Sequence, residues 1–331
     1  MTRETVRPPT VPEPFAVHQL FWGRDGLRAL WGILLFYLLR ELLIAAAHPV
    51  LAGIFRPPAI DAGVFVPRAL FTFEGAALVA VAAATWLMAW VERRGVAAYG
   101  LTGFRWLARF LAGAFWGVTT LSLLVFLLHA SGLLVFDARL LYGAPAFRYG
   151  SIWLAGFLLV GLVEEMSFRG YLQFTLTRGL RGLLQLLGRE SLSSSRLDAI
   201  AFWTAAFVLS FGFGLGHTTN LGESPLGLLA AGLIGLVFCL SLWRTGSLWW
   251  AIGFHATWDW AESFLYGVAD SGTMVRGHLF ATHPQGKPIL SGGLTGPEGS
   301  IAVLFVVLLI AAIIWMTLPR TRDRSIGKQV D

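Results

Sequence analysis

The chain has 331 residues, of which 13% are charged, against about 25% in soluble domains; 56% are hydrophobic, including 14 Trp and 25 Phe. This excludes a disordered chain and an ordinary soluble globule, and predicts an all-α, polytopic membrane helix bundle of about eight transmembrane helices. The single Cys239 excludes an intramolecular disulfide, and the net charge of +6 reads as basic cytoplasmic loops rather than a nucleic-acid surface.

Residues 1–28 read as a cytoplasmic N-terminal segment. Residues 29–150 hold the first three spans, at about 29–54, 69–91 and 108–134. Arg40-Glu41 interrupts the first, and Glu74 lies in the second. Ala45-Ala46-Ala47 resembles a signal-peptide cleavage site, but the long preceding segment with Pro8-Pro9 and the Arg40-Glu41 break favour an uncleaved span. The next block, 151–266, holds spans at about 151–168, 199–218, 226–243 and 246–266. Between the first two of these, Leu172–Leu187 carries Arg178 and Arg181 at helical spacing. It either extends the fourth span or lies along the membrane surface, and Ser191–Ser195 follows as a turn. Residues 267–299, rich in Gly and Pro, read as a non-cytoplasmic loop. Residues 300–331 supply the last span and a basic cytoplasmic tail.

Most Lys and Arg fall on one side of these spans. Arg3, Arg7, Arg24, Arg28, Arg93, Arg94, Arg105, Arg109, Arg178, Arg181, Arg189, Arg196, Arg244, Arg320, Arg322, Arg324 and Lys328 share that side. Only Arg56, Arg68, Arg139, Arg148, Arg276 and Lys287 fall on the other. The asymmetry places both termini in the cytoplasm of a multi-pass cell-membrane protein.

Ionisable residues inside a bilayer cost roughly 2.5–3.5 kcal/mol each on insertion scales, so they mark candidate sites. Three groups stand out. In Glu164-Glu165-Met-Ser-Phe-Arg169, Glu165 and Arg169 are i and i+4 and share a helix face. Glu164 points about 100° away, free to face a cavity as a general base. In Phe211-Gly-Phe213-Gly-Leu-Gly216-His217, Phe213 is placed to pack beside His217, and Gly212, Gly214 and Gly216 permit close helix approach. In His255-Ala-Thr-Trp258-Asp259, His255 and Asp259 are i and i+4, so Asp259 can orient the imidazole. Each group has a plainer reading: a structural Glu–Arg pair, a snorkelling histidine, or an interhelical hydrogen bond. Glu74 and Glu262 have no sequence-local partner and are candidates to line a cavity. His18, His48, His129, His278 and His283 read as interface or loop residues, and most Trp as interface anchors. The limits of the fifth span set His217 near the outer boundary, so sharing a site with Glu164 requires that span to shift, tilt or break.

In this order the three groups resemble the CPBP intramembrane protease family, which includes type II CAAX prenyl endopeptidases and bacteriocin-processing and abortive-infection proteins. The resemblance covers about 151–266 and marks that block as the catalytic core. It implies an intramembrane endopeptidase acting on a membrane-associated or lipidated protein or peptide within the lipid bilayer, with no nucleic-acid partner. It also implies that Glu164 activates a water, His217 helps hold it, and His255 and Asp259 stabilise the oxyanion. Glu165, Arg169 and Phe213 support them. No cofactor is expected, since Glu and His suffice to activate water. Zinc or another divalent metal on Glu164, His217 and His255 is the alternative. A proton-coupled transporter and a catalytically silent scaffold are the competing functions, but no internal symmetry of the transporter kind is visible.

Overall fold

The computed structural model describes residues 17–319, apart from 24–25, 59–63, 102, 104 and 189–191. The N-terminal residues 1–16, the basic tail from 320 onward and Ser191 of the expected turn lie outside the described residues. Each of the eight apolar stretches is helical. We number these helices α1 (Ala29–Phe55), α2 (Pro67–Val91), α3 (Trp106–Ala130), α4 (Gly143–Leu186), α5 (Ser194–Gly216), α6 (Pro225–Thr245), α7 (Trp249–Trp260) and α8 (Ala302–Thr317). Six of them, α1 to α6, are long and apolar enough to cross a membrane. The chain is therefore a multi-pass membrane helix bundle. At 1.5 Å per residue, the 16 residues of α8 reach only about 24 Å, short of the ~30 Å hydrocarbon core. α7 has 12 residues and carries His255 and Asp259 in its apolar run, and the π-helical stretch that follows it carries Glu262.

Consecutive helices run in opposite directions, which defines two ends. At end A, Arg178 bonds the Leu27 carbonyl and Glu92, Trp249 Nε1 donates to Leu101 O, and Arg244 Nε donates to Leu318 O. At end B the 267–299 segment is not a plain loop. Its strands β3 (Met274–Val275) and β4 (Phe280–Pro284) pair with β1 (Val64–Phe65), in parallel, and β2 (Leu134–Arg139), antiparallel. These pairings satisfy backbone groups that would otherwise need water, and they weld the segment into a cap over the bundle.

Residues 172–186 continue α4 as helix, within one run of 44 residues. Its continuation is pinned by Tyr171, whose ring stacks on Phe36 at 4.4 Å and whose hydroxyl donates to Gly32 O. Among the predicted spacer glycines, only Gly214 acts as expected. A Cβ there would stand 2.4 Å from Leu228 O, whereas Gly212 and Gly216 face open space. A residue two positions away on a helix points to the opposite side, so three alternate glycines cannot share one interface. The closest crossing is instead α3 on α7. A Cβ at Gly113, Gly117 or Gly253 would fall 2.0, 2.4 or 2.1 Å from the carbonyl oxygen of Trp250, Phe254 or Phe110. This is the small-xxx-small packing that brings membrane helices together. It fixes α7, and with it His255, against the bundle.

Candidate active site

Midway along α4 the winding changes. Glu165–Leu172 adopts i→i+5 bonding, a π-helical insertion of the kind found at functional sites. It begins directly after Glu164 and carries both Glu165 and Arg169. As expected from i, i+4 spacing, Arg169 Nη1 donates to Glu165 Oε1 at 3.0 Å, with both side chains buried. The guanidinium lies over the Phe213 ring at 4.4 Å, with Phe238 at 5.5 Å and Phe168 at 5.9 Å. An aromatic box of this kind attracts a cation through its ring quadrupoles. The two neighbouring glutamates are thus separated in kind. Glu165 is sealed, while the Glu164 side chain is 28% exposed and lines a cavity.

His255 enters from α7. Its Nδ1 donates to Glu165 Oε1 at 3.0 Å. Its Nε2 stands 3.5 Å from Glu164 Oε2 and 3.6 Å from Asp259 Oδ2, too far for a hydrogen bond to either. The closest partner of the imidazole is therefore Glu165 rather than Asp259. Helix spacing pairs His255 with Asp259 along one strand of backbone, but it says nothing of a residue brought in by another helix. With Nδ1 held, Nε2 is aimed into the space between Glu164 and Asp259.

His217 closes α5. A carbonyl can only accept, so Nδ1 is the donor in its 2.9 Å contact with Phe213 O. That leaves Nε2 to meet a water. The Phe213 ring packs edge-on against the imidazole, with centroids 4.9 Å apart. His217 and Glu164 line the same cavity, of about 190 Å³, with His255 and Asp259. It spans the difference in their depth because it reaches from Glu164 up to the end-B cap, where Asn220, Ser271 and Thr273 line it. Apolar walls come from Leu70, Trp153, Phe157, Val303, Val307 and Ile310. Helices α2 and α8 and the cap thus join the site although they lie outside 151–266. Glu74 lines the cavity as expected, and Glu262 sits fully buried next to Asp270 and Glu298. Asp270 and Glu298 were not legible as site residues, because a Gly- and Pro-rich loop has no periodicity from which to infer a face. Burial holds the Asp270 carboxyl well above the usual carboxylate range, and Asp259 and Glu298 add to the effect.

The remaining histidines stay outside the cavity lining. His129 Nδ1 donates to Leu134 O, His278 Nδ1 donates to Val275 O, and His283 pairs with Asp137 on the cap surface. Among the described residues, the three-carboxylate group Glu262, Asp270 and Glu298 has ligand atoms all within 4.8 Å of one another; Glu164, His217 and His255 do not form such a group.

A multi-pass helical membrane protein with a buried carboxylate–imidazole cavity is the class that fold and site define. Residues 151–261, a third of the chain, match the family model described as type II CAAX prenyl endopeptidase Rce1-like. The segment carrying Glu164 to Asp259 is thus similar to an Rce1-like domain, in agreement with the resemblance read from its motifs. Neither the curated proteins nor the solved structures compared with the chain gave a match.

Proposed function

We propose that the protein is an intramembrane endopeptidase that hydrolyses a peptide bond of a membrane-associated or lipidated protein or peptide. Glu164 takes a proton from a water in the cavity, and His217 Nε2 helps hold that water. The water attacks the peptide carbonyl, and His255 Nε2–H, aimed between Glu164 and Asp259, donates to the oxyanion. The proton held by Glu164 then passes to the leaving amine. Glu165 fixes the imidazole through Nδ1 while Arg169 neutralises Glu165. No step requires a metal. The observation that carries this reading is the division between the two adjacent glutamates: one faces the cavity with both histidines, and the other is sealed in an ion pair. Glu164→Gln used as a substrate trap in membranes tests it. A membrane-associated polypeptide should accumulate on the variant and be cut by the wild type. Cleavage retained by the variant would refute the role of Glu164.

The Lys/Arg asymmetry makes end A cytoplasmic, with both termini on that side. The end-B cap and the cavity's reach into it then face away from the cytoplasm. Leu294, 79% exposed in the cap, offers the test. An impermeant thiol reagent should label Leu294→Cys on intact cells, the native Cys239 being buried. Labelling only after lysis would reverse the orientation.

A further inference from the structure

Where α7 ends, the chain winds into a second π-helical stretch, Ala261–Tyr266. It turns Glu262 away from the lining of the cavity, towards the cap. Glu262 is 0% exposed, and neither of its carboxylate oxygens has a hydrogen-bond partner among the described residues. An unpartnered carboxylate so deeply buried is costly unless something compensates it. What faces it is two more carboxylates. One oxygen from each of Glu262, Asp270 and Glu298 lies within 4.8 Å of the others. The donors that reach this group are neutral: Trp258 Nε1 and Ser271 Oγ to Glu298, at 2.7 and 3.1 Å, and Ser263 Oγ to Asp270, at 3.4 Å. Neutral donors do not supply the counter-charge that three ionised carboxylates would need.

We propose that Glu262, Asp270 and Glu298 bind one Ca2+ ion that fastens the end of α7 to the cap. The ligand chemistry favours a hard cation. All three donors are carboxylate oxygens, with no imidazole or thiolate of the kind that selects zinc. Oxygens on a common Ca2+ at 2.3–2.6 Å stand at most about 5 Å apart, which matches the observed grouping. Ca2+ also tolerates the irregular geometry of ligands drawn from a π-turn, a loop and the Pro297–Gly299 turn, whereas Mg2+ demands a near-ideal octahedron. The three residues come from three segments that single backbone bonds already link, Val268 N–H to Glu262 O and Gly272 N–H to Thr295 O, and the ion draws their side chains together as a clasp. Gly296 adjoins it. A Cβ there would meet Ala269 O at 1.9 Å and Glu262 Oε1 at 3.4 Å, so only glycine lets the turn approach. Asp270 and Glu298 also line the cavity that holds Glu164, but no step assigned to Glu164 uses the ion, and its binding is read without any assay of cleavage.

The indole of Trp258, hydrogen-bonded to Glu298, supplies a built-in reporter. Full-length protein in detergent, stripped with chelator, is titrated with Tb3+ as a luminescent substitute for Ca2+, with excitation in the tryptophan band. The expected result is saturable luminescence at one ion per chain, displaced by Ca2+, together with a rise in melting temperature when Ca2+ is added alone. Asp270→Asn and Glu298→Gln should each weaken Tb3+ binding at least about tenfold. Trp258→Phe should dim the luminescence while keeping the Ca2+-dependent rise in melting temperature. If a carboxylate variant fails to fold, the wild-type melting curve still decides. No Ca2+-dependent shift and no saturable Tb3+ signal would overturn the proposal, as would full binding retained by Asp270→Asn. A shift produced by Mg2+ and not by Ca2+ would overturn the assignment of the ion.

Discussion

Two carboxylate clusters are joined by α7 and its π-helical continuation and reach the same cavity, and they handle buried charge in opposite ways. Around His255, three carboxylates are offset by a guanidinium in an aromatic box and by the imidazole itself. Around Glu262, three carboxylates face one another with only neutral donors beside them. The difference separates a cluster complete within the chain from one that needs a cation from outside. Removing one member of the first leaves its partner uncompensated, whereas removing one member of the second relieves repulsion.

The largest effect expected is on catalysis. Glu164→Gln removes the base and keeps the shape, so cleavage of a membrane-anchored reporter should fall by about 10²–10⁴-fold. Its melting curve should match the wild type. Comparable in energy, but on stability, is Glu165→Gln, which leaves Arg169 buried without its carboxylate and loosens His255. It should cost about 3–5 kcal/mol. A double variant, Glu165→Gln with Arg169→Met, should regain most of that stability but not the activity, because a neutral amide oxygen still accepts from Nδ1 but no longer supplies the negative charge that supports an imidazole donating from both nitrogens. If activity returned as well, Glu165 would be a structural brace only. Next, Gly253→Ala pushes α7 off α3 and should destabilise the bundle by about 1–3 kcal/mol, since the clash is with backbone that cannot rotate away. A melting temperature equal to the wild type would refute the tight crossing.

Smaller effects sharpen the contrast between the two clusters. Asp259→Asn should lower cleavage by about 1.4 kcal/mol or less, roughly tenfold, because Glu165 rather than Asp259 makes the direct contact with His255. A loss as deep as that of Glu164→Gln would give Asp259 the larger share of the work. Smallest is Glu262→Gln. In chelator it should be at least as stable as the wild type, by up to about 1 kcal/mol, because one of three mutually repelling carboxylates is gone. Destabilisation by this variant in chelator, of the size expected for Glu165→Gln, would erase the distinction between the clusters.

The sequence by itself determined the helical spans, through composition and apolar length, and it singled out Glu164, Glu165, Arg169, Phe213, His217, His255 and Asp259. Intramembrane charge is expensive, so its positions stand out without any structure. Local spacing also gave the contacts within single helices, such as Glu165 with Arg169 and Phe213 with His217. Tertiary structure decided everything that joins different helices. It made Glu165 the partner of His255, chose Gly113, Gly117 and Gly253 over Gly212 and Gly216 as the close crossings, and folded the 267–299 cap so that Asp270 and Glu298 reach the site. The physical reason is that helix periodicity fixes which residues share a face. It does not fix which neighbouring helix meets that face, nor where a π-turn will shift the face partway along.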